Sequence, residues 1–506
     1  MSRREQRLPW SDSPKRKSMM LGDNQFVFLN EKHVISTAED WNNPEWSKLW
    51  LYNLHYFDDL NAESSHERAD WHNNYLSRWV AENPPVNGNG WEPYPSSLRI
   101  VNWIKWAISG NELQAQQHES LVAQVRHLNR QIEWHILGNH IFANAKALIF
   151  AGLFYDGSEA DDWLKKGEII LAYQLNEQIL SDGAHFELSP MYHNIILEDL
   201  LDLINLMRVF RCSASAEWER LVPGMVRWSL GMMHPDRDIS FFNDAATQIA
   251  LSPVQLHAYA KELALVDMDF KFEPVEHFEA SGYVRMSNAS VLAILDVAEV
   301  GPDYLPGHAH ADSLSFELSL FGQRLIVNSG TSMYGTGPER LYQRSTAAHS
   351  TVVIDGQDSS EVWGGFRVAK RARPSVIRVA SEDGVLGVKA KHDGYLRLKG
   401  EVMHCRSWSL ARQRLEIVDT ISGNRHYGVD VCFLLHPEVE VLLQHDKQAA
   451  LTVAGREVSL LFEGNGSLAL ETYDYHPQFG VSQQGKRLIY HLDGQFPEKI
   501  RSIIRW

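Results

Sequence analysis

"YVRMSNASVLAILDVAEV", residues 283–300, decides how this chain is divided. Apolar and polar residues alternate over Val284–Ser287, turn-forming residues follow, and Val291–Leu295 is an unbroken apolar run. Short β-branched segments bounded by turn residues read as strands. The same pattern returns in "LSFELSLFGQRLIVNSG" (314–330), "STVVIDG" (350–356), "LEIVDTISG" (415–423), "VCFLLHPEVEVLL" (431–443) and "RLIYHLDG" (487–494). Upstream the period is different. "ANAKALIF" (143–150) and "LLDLINLMRVF" (200–210) place apolar residues at three- and four-residue steps, the mark of helices. Helices followed by strands, with the change near 270–285, predict an α+β chain of separate domains rather than a βαβ sheet. The expected division is an N-terminal segment 1–60, a helical domain 61–275 and an antiparallel β domain 276–506.

Composition narrows the function classes. The chain has 506 residues, 44% of them hydrophobic, and a formal net charge of −16. That length exceeds one compact core, and the acidic balance excludes a general nucleic-acid binder. It does not exclude an anionic substrate, because a local basic groove can outweigh the global sign. Cys212, Cys405 and Cys432 are too widely spaced for a disulfide framework or a cysteine zinc site. The charged start "MSRREQRLPWSDSPKRKSMM" lacks the apolar stretch of a secretory signal, and no run reaches the roughly 18 apolar residues of a membrane span. A cytoplasmic location is the expectation. Oligomeric state is not readable. Thirteen of the 16 tryptophans precede residue 250, among them Trp71, Trp79, Trp91, Trp103, Trp106 and Trp134. Helix-packing core explains most of them; a platform for sugar rings is the alternative.

Polar residues interrupt the pattern at three places. Asn139 and His140 fall where the apolar stripe Ile132, Ile136, Ala143, Ala147, Phe150 should continue. Ser189 and Pro190 form a helix start, serine as N-cap and proline at the first position, which puts Tyr192 in the first turn near the positive end of the helix dipole. In "GHAHADS" (307–313), alternation directs His308 and His310 to one side of the backbone. They could be metal ligands, acid/base groups or surface residues. His310, Asn328 and His349 could meet on neighbouring strands as two imidazoles and an oxygen ligand. Arg340, Arg344, Arg367, Lys370, Arg371 and Arg373 form the local basic excess beside them.

Taken in order, "GNH", "ELSPMYH", "GHAHADS", "NSGT" and "RSTAAHSTVVIDG" resemble the heparinase II/III family of polysaccharide lyases, with alginate lyases of the same architecture as cousins. The resemblance implies an incomplete (α/α) toroid followed by an antiparallel β-sandwich. It implies β-elimination at a uronic acid, giving a 4,5-unsaturated uronate from a glycosaminoglycan-like polymer. Asn139 and His140 match the pair that neutralises the carboxylate, Tyr192 the catalytic tyrosine, and His308 the active-site histidine and alternative base. Expected substrate contacts are Glu187, His193, Arg344, Trp363 and Arg367. His310 and His349 match metal ligands. The family's aspartate before "SGT" is replaced by Asn328, which brings no charge. The expected ion is a divalent metal of structural role, zinc first, with manganese or calcium as alternatives. Three other readings stand beside this one: a hydrolase using Glu187 or Asp312, which would need two carboxyls at a defined separation; a non-catalytic or trimming polysaccharide-binding protein of capsule assembly; and an alginate-type lyase.

Overall fold

A computed structural model describes residues 1–11, 13–210, 216–267 and 269–506. Cys212 lies outside the described residues. The chain divides into two compact units: residues 1–179, 195–223 and 255–267 form the first, and residues 180–194, 224–254 and 268–506 form the second.

The first unit is helical. Its central helix, Gly138–Phe154, is buried at nearly every position and packs against Ser158–Gln178. Two glycines permit that approach: a Cβ on Gly152 would lie 2.6 Å from the Leu164 amide nitrogen, and one on Gly167 would lie 2.9 Å from the Ala145 carbonyl oxygen. Trp41, Trp50, Trp79, Trp103 and Trp163 are all fully buried, so the tryptophan excess is mainly core. Trp134 is the contrast, at 57% exposure. Arg99 lies in that core with its guanidinium 3.9 Å from the Trp79 ring centroid, and burial lowers its pKa. The segment before residue 61 adds a small antiparallel sheet, Met20–Gly22, Gln25–Phe28 and Glu31–Val34. Its leading stretch is tied along the helices, from the Arg4 amide on the Phe154 carbonyl to the Arg16–Glu198 ion pair at 2.6 Å.

The second unit is a sandwich of two antiparallel sheets. One runs 374–382, 385–392, 403–411, 414–422, 498–505, 456–463, 448–453, 440–445 in spatial order. Its burial alternates strictly, as in Met403–Ala411, because one face meets water. The other sheet runs 467–475, 483–495, 426–435, 323–327, 316–320, 291–296, 283–287, 275–278, with 352–354 also paired to 426–435. Here Val291–Asp296 is buried at every position. Val291, Ala293 and Leu295 join the inter-sheet core with Phe316, Trp408 and Ile417, whereas Leu292 and Ile294 pack on Leu188, Trp228 and Phe242. The unbroken apolar run is thus a strand covered on both faces. What covers it includes Leu188, and that contact seats the start of the helix Pro190–Val209 on the sandwich.

Candidate active site

Asn139 and His140 open a helix rather than interrupt one, since residues 131–137 are not helical; Leu137 (φ 65°) precedes Gly138–Phe154, and Leu188 (φ 59°) stands two residues before Pro190–Val209, the helix start expected from the sequence. Non-glycine residues adopt that region at a cost and mostly where surrounding contacts force it. At Leu188 the contacts are visible, since its carbonyl accepts from the Tyr283 hydroxyl at 2.8 Å and from Asn243 Nδ2 at 3.0 Å.

In the helical unit this geometry gathers Asn139, His140, Tyr94 and Glu133. Asn139 Nδ2 reaches the Tyr94 hydroxyl at 3.5 Å, and the Tyr94 and His140 rings lie 4.4 Å apart. Glu133 accepts from His140 Nδ1 at 3.0 Å and from Asn144 Nδ2 at 3.0 Å. Carboxylates only accept here, so the His140 proton sits on Nδ1 and Nε2 is left outward. Burial pushes the Tyr94 hydroxyl well above its ordinary pKa, and the nearby charge of Asp199 adds to that.

The sandwich unit carries the second cluster. Ser189 caps its helix, accepting the Tyr192 amide at 3.2 Å and donating to the Asp244 carbonyl at 2.5 Å. The Tyr192 ring stacks on His308, with centroids 3.9 Å apart and planes 14° from parallel. The Tyr192 and Tyr334 hydroxyls are 2.7 Å apart. His308 Nδ1 donates to the Glu187 carboxylate, which fixes the tautomer with Nε2 as the lone-pair nitrogen. The His308 side chain is 17% exposed. Tyr334 lies 5.1 Å from the Arg340 guanidinium, which in turn grips the Asp244 carboxylate with two nitrogens, one at 2.7 Å. Burial and then the charge of Asp244 push the Tyr334 pKa well above its ordinary value, with Arg340 opposing. Burial would raise the Asp244 carboxyl, yet Arg340 and His310 outweigh it and hold it far below the carboxylate range.

His308 and His310 have different surroundings. His310 is 1% exposed. Its Nε2 meets Asp244 at 2.9 Å and its Nδ1 meets His349 Nε2 at 3.1 Å. Burial pushes the His310 pKa down to about 4 and lowers that of His349 as well. Ligand atoms of His310, Asp312 and His349 all lie within 4.8 Å of one another. Two imidazoles and a carboxylate fit a zinc-type donor set. Asn328, expected as the oxygen ligand, has both ends of its amide in hydrogen bonds. Its Oδ1 accepts the Ser350 amide at 3.0 Å, and its Nδ2 donates to the Phe241 carbonyl at 2.9 Å.

Two of the expected substrate contacts are used internally. His193 accepts the His185 amide at Nδ1 (3.1 Å) and donates from Nε2 to the Met225 carbonyl (2.9 Å), so it braces the Glu187 segment and has no nitrogen left for a sugar. Arg344 is buried and donates to the Ala309 carbonyl at 2.8 and 3.0 Å, which holds the His308 loop. Trp363 and Arg367 do face outward: Trp363 is 52% exposed, and Arg367 lies over its ring at 5.2 Å. They face each other across the hairpin of Glu361–Trp363 and Arg367–Ala369. The turn of that hairpin puts Phe366 against Tyr334, 5.5 Å between centroids, and the Gly365 carbonyl on Arg340 Nε at 3.1 Å. Tyr334 and Asp244 stood out by no spacing in the sequence. Tyr334 follows "NSGTSM" closely enough to have been a candidate, whereas nothing local marks Asp244.

A helical region followed in the chain by a sandwich of antiparallel sheets is the architecture of the solved heparinase III structures. The chain belongs to the heparinase II/III family: the Heparinase II/III N-terminus profile matches residues 61–264 and the Heparinase II/III-like, C-terminal profile matches residues 272–503. It is similar to a heparin-sulfate lyase of Bacteroides stercoris, 25% identical over 241 residues, covering 44% of this chain and 36% of that protein. It is also 24% identical over 390 residues to the FtsZ-localized protein C of Caulobacter vibrioides, covering 72% of this chain and 64% of that one. The chain thus spans about a third of the length of the first relative. A heparinase III structure shares its fold at a TM-score of 0.73 and 18% identity, covering 94% of this chain and 78% of the other. Among the described residues no helix is long and apolar enough to cross a membrane.

Proposed function

We propose that this protein is a polysaccharide lyase that cleaves a uronate-containing polymer by β-elimination. The observation that carries this reading is the Tyr192–His308–Glu187 cluster with Tyr334 at hydrogen-bond distance. Elimination needs a base for the C5 proton and an acid for the departing O4 oxygen. The Tyr192 hydroxyl can give or take a proton through Tyr334. The lone pair on His308 Nε2, held outward by the Glu187 contact, is the base for the opposite epimer. Removing the C5 proton builds charge on a group that is already anionic, so its carboxylate must be hydrogen-bonded as the reaction proceeds. The family resemblance gives that task to Asn139 and His140, which stand at a helix start in the helical unit. The C4–O4 bond breaks, the C4–C5 double bond forms, and no water is consumed.

The basic excess read from the sequence supports carboxylate recognition more than dense sulfation. Arg340 is neutralised by Asp244, Lys370 pairs with Glu361, Arg371 serves loop carbonyls and Asp303, and Arg344 is buried on the loop. Arg367 remains exposed on Trp363, without a carboxylate partner among the described residues. A glycosaminoglycan-like chain with few sulfates suits that arrangement. The test is the ultraviolet absorbance of the unsaturated uronate during incubation with heparan sulfate, chondroitin sulfates, hyaluronan, alginate and glucuronan, with Tyr192→Phe as control. An increase that the variant abolishes supports the lyase; polymer binding with no increase on any substrate supports the binding-protein reading. The likeness to a protein named for localisation to FtsZ, rather than for a reaction, keeps that second reading in view.

A further inference from the structure

Of the 16 tryptophans, Trp134 and Trp363 alone are more than half exposed, and Trp134 belongs to the helical unit. It opens the turn between the helices Ala115–Arg130 and Gly138–Phe154. The residue before it is pinned by a single asparagine. Asn144 Oδ1 accepts the Glu133 amide at 2.9 Å, and Asn144 Nδ2 donates to the Glu133 carboxylate at 3.0 Å. The Glu133 carbonyl closes the turn by accepting the amides of Ile136 and Leu137, each at 3.1 Å. Asn144 is fully buried and Glu133 is 4% exposed, so this anchor lies inside the unit. The other carboxylate oxygen of Glu133 takes His140 Nδ1 at 3.0 Å. One residue thus fixes the imidazole with its side chain and, through its main chain, holds the indole in water. A single exposed apolar side chain needs no explanation by itself. What sets Trp134 apart is that its anchor is also the partner of His140.

We infer that the turn 131–137 is a substrate-binding element: Trp134 is the platform for the sugar ring next to the uronate whose carboxylate His140 holds, and Glu133 is the positioning residue that sets both. This rests on the proposed binding of a uronate carboxylate by His140. A pyranose has an apolar face of C–H groups that suits an indole, so the platform reads ring shape and not charge. Its rigidity matters, because a platform that is already ordered loses little freedom when the sugar arrives. Glu133 must be a carboxylate to do its part. Its two oxygens accept from two different donors, His140 Nδ1 and Asn144 Nδ2. A glutamine there would set its own NH2 group against one of them.

The experiment uses the full chain with heparan sulfate, hyaluronan and alginate, and reads steady-state rates beside acrylamide quenching of tryptophan fluorescence. Trp134→Ala should raise KM by about three- to tenfold and lower kcat much less, and Trp134→Phe should restore most of the loss. Glu133→Gln should lower kcat/KM by about tenfold or more. It should add little to His140→Ala, because both changes take apart one assembly. In a chain carrying Tyr192→Phe and Trp363→Phe, saturating polymer should shield Trp134, the most exposed indole that remains, from acrylamide. Bound polymer that leaves quenching unchanged, or a Trp134→Ala chain with the wild-type KM, would overturn the platform. Effects of Glu133→Gln and His140→Ala that simply add would overturn the positioning role. The lyase reading fails separately: polymer that shields Trp134 while the wild type forms no unsaturated uronate leaves the platform in place and removes the reaction.

Discussion

Two histidine–carboxylate assemblies in the sandwich unit use the same chemistry in different settings. At the rim, His308 bonds Glu187 through Nδ1 and stacks on Tyr192, its side chain 17% exposed. Deep in the sandwich, His392 Nε2 donates to His404 Nδ1 (3.2 Å), His404 Nε2 donates to Asp419 (2.7 Å), and Arg406 clasps the same carboxylate at 2.7 and 3.0 Å. Every nitrogen of that inner chain is engaged, the outermost one, His392 Nδ1, by the Gly394 amide. Arg406 also donates to the carbonyls of Leu314 and Ser350, binding together the segments that follow Asp312 and His349. Residue types alone do not separate the two assemblies. An accessible nitrogen with its lone pair left open marks the reactive one, and a closed network marks the structural one.

The comparison is broken or sharpened by variants that separate rate from stability. The largest effect expected is on rate: Tyr192→Phe should lower kcat by about a thousandfold or more with melting little changed, read from product absorbance and calorimetry together. Next, Arg406→Met should cost about 3–5 kcal/mol of stability, because it leaves the Asp419 charge buried and unpaired; a denaturant titration measures it. Equal loss of activity and stability in both variants would erase the distinction.

Acid should act on the buried histidines in a defined direction. Burial pushes the pKa of His55 and His193 down to about 3 and that of His185 down to about 4. Their folded pKa values lie below the unfolded value, so the stability that they contribute is full above about pH 6.5 and is lost as pH falls towards the folded values. Between about pH 7 and pH 5 each should remove roughly 2 kcal/mol, seen as a falling denaturant midpoint. A midpoint that does not change over that range would show that these imidazoles are not held neutral. The smallest effect is at the hairpin. Trp363→Ala should raise KM by about three- to tenfold and leave kcat nearly unchanged, as expected for a sugar platform away from the reacting atoms; initial rates across polymer concentrations test it.

Much of this was legible in the sequence because it is local. The period change near 270–285, the Ser189–Pro190 helix start and the paired histidines of "GHAHADS" are each set by residues a few positions apart. The resemblance to the heparinase II/III family was legible from five motifs, and the family profiles cover both halves. The contacts that the sequence does not announce are long-range ones. The expectation of a ligand at Asn328 rests on its sequence neighbours, whereas its hydrogen bonds reach Phe241, 87 residues away, and Ser350. Arg344, expected to contact substrate, donates from Nε and Nη2 to the carbonyls of Ala309 and Pro306, the latter 38 residues earlier, and its Nη1 has no hydrogen-bond partner among the described residues. Asp244 organises Arg340 and His310 from 96 and 66 residues away, and no local pattern can announce that.

The most direct test of the account runs cleavage in water enriched in heavy oxygen and weighs the products, with Tyr192→Phe beside the wild type. Elimination at the Tyr192–His308 rim is expected to give an unsaturated fragment, no heavy oxygen in either product, and no product from the variant. Heavy oxygen in the new ends, or cleavage that survives the loss of the Tyr192 hydroxyl, would contradict it.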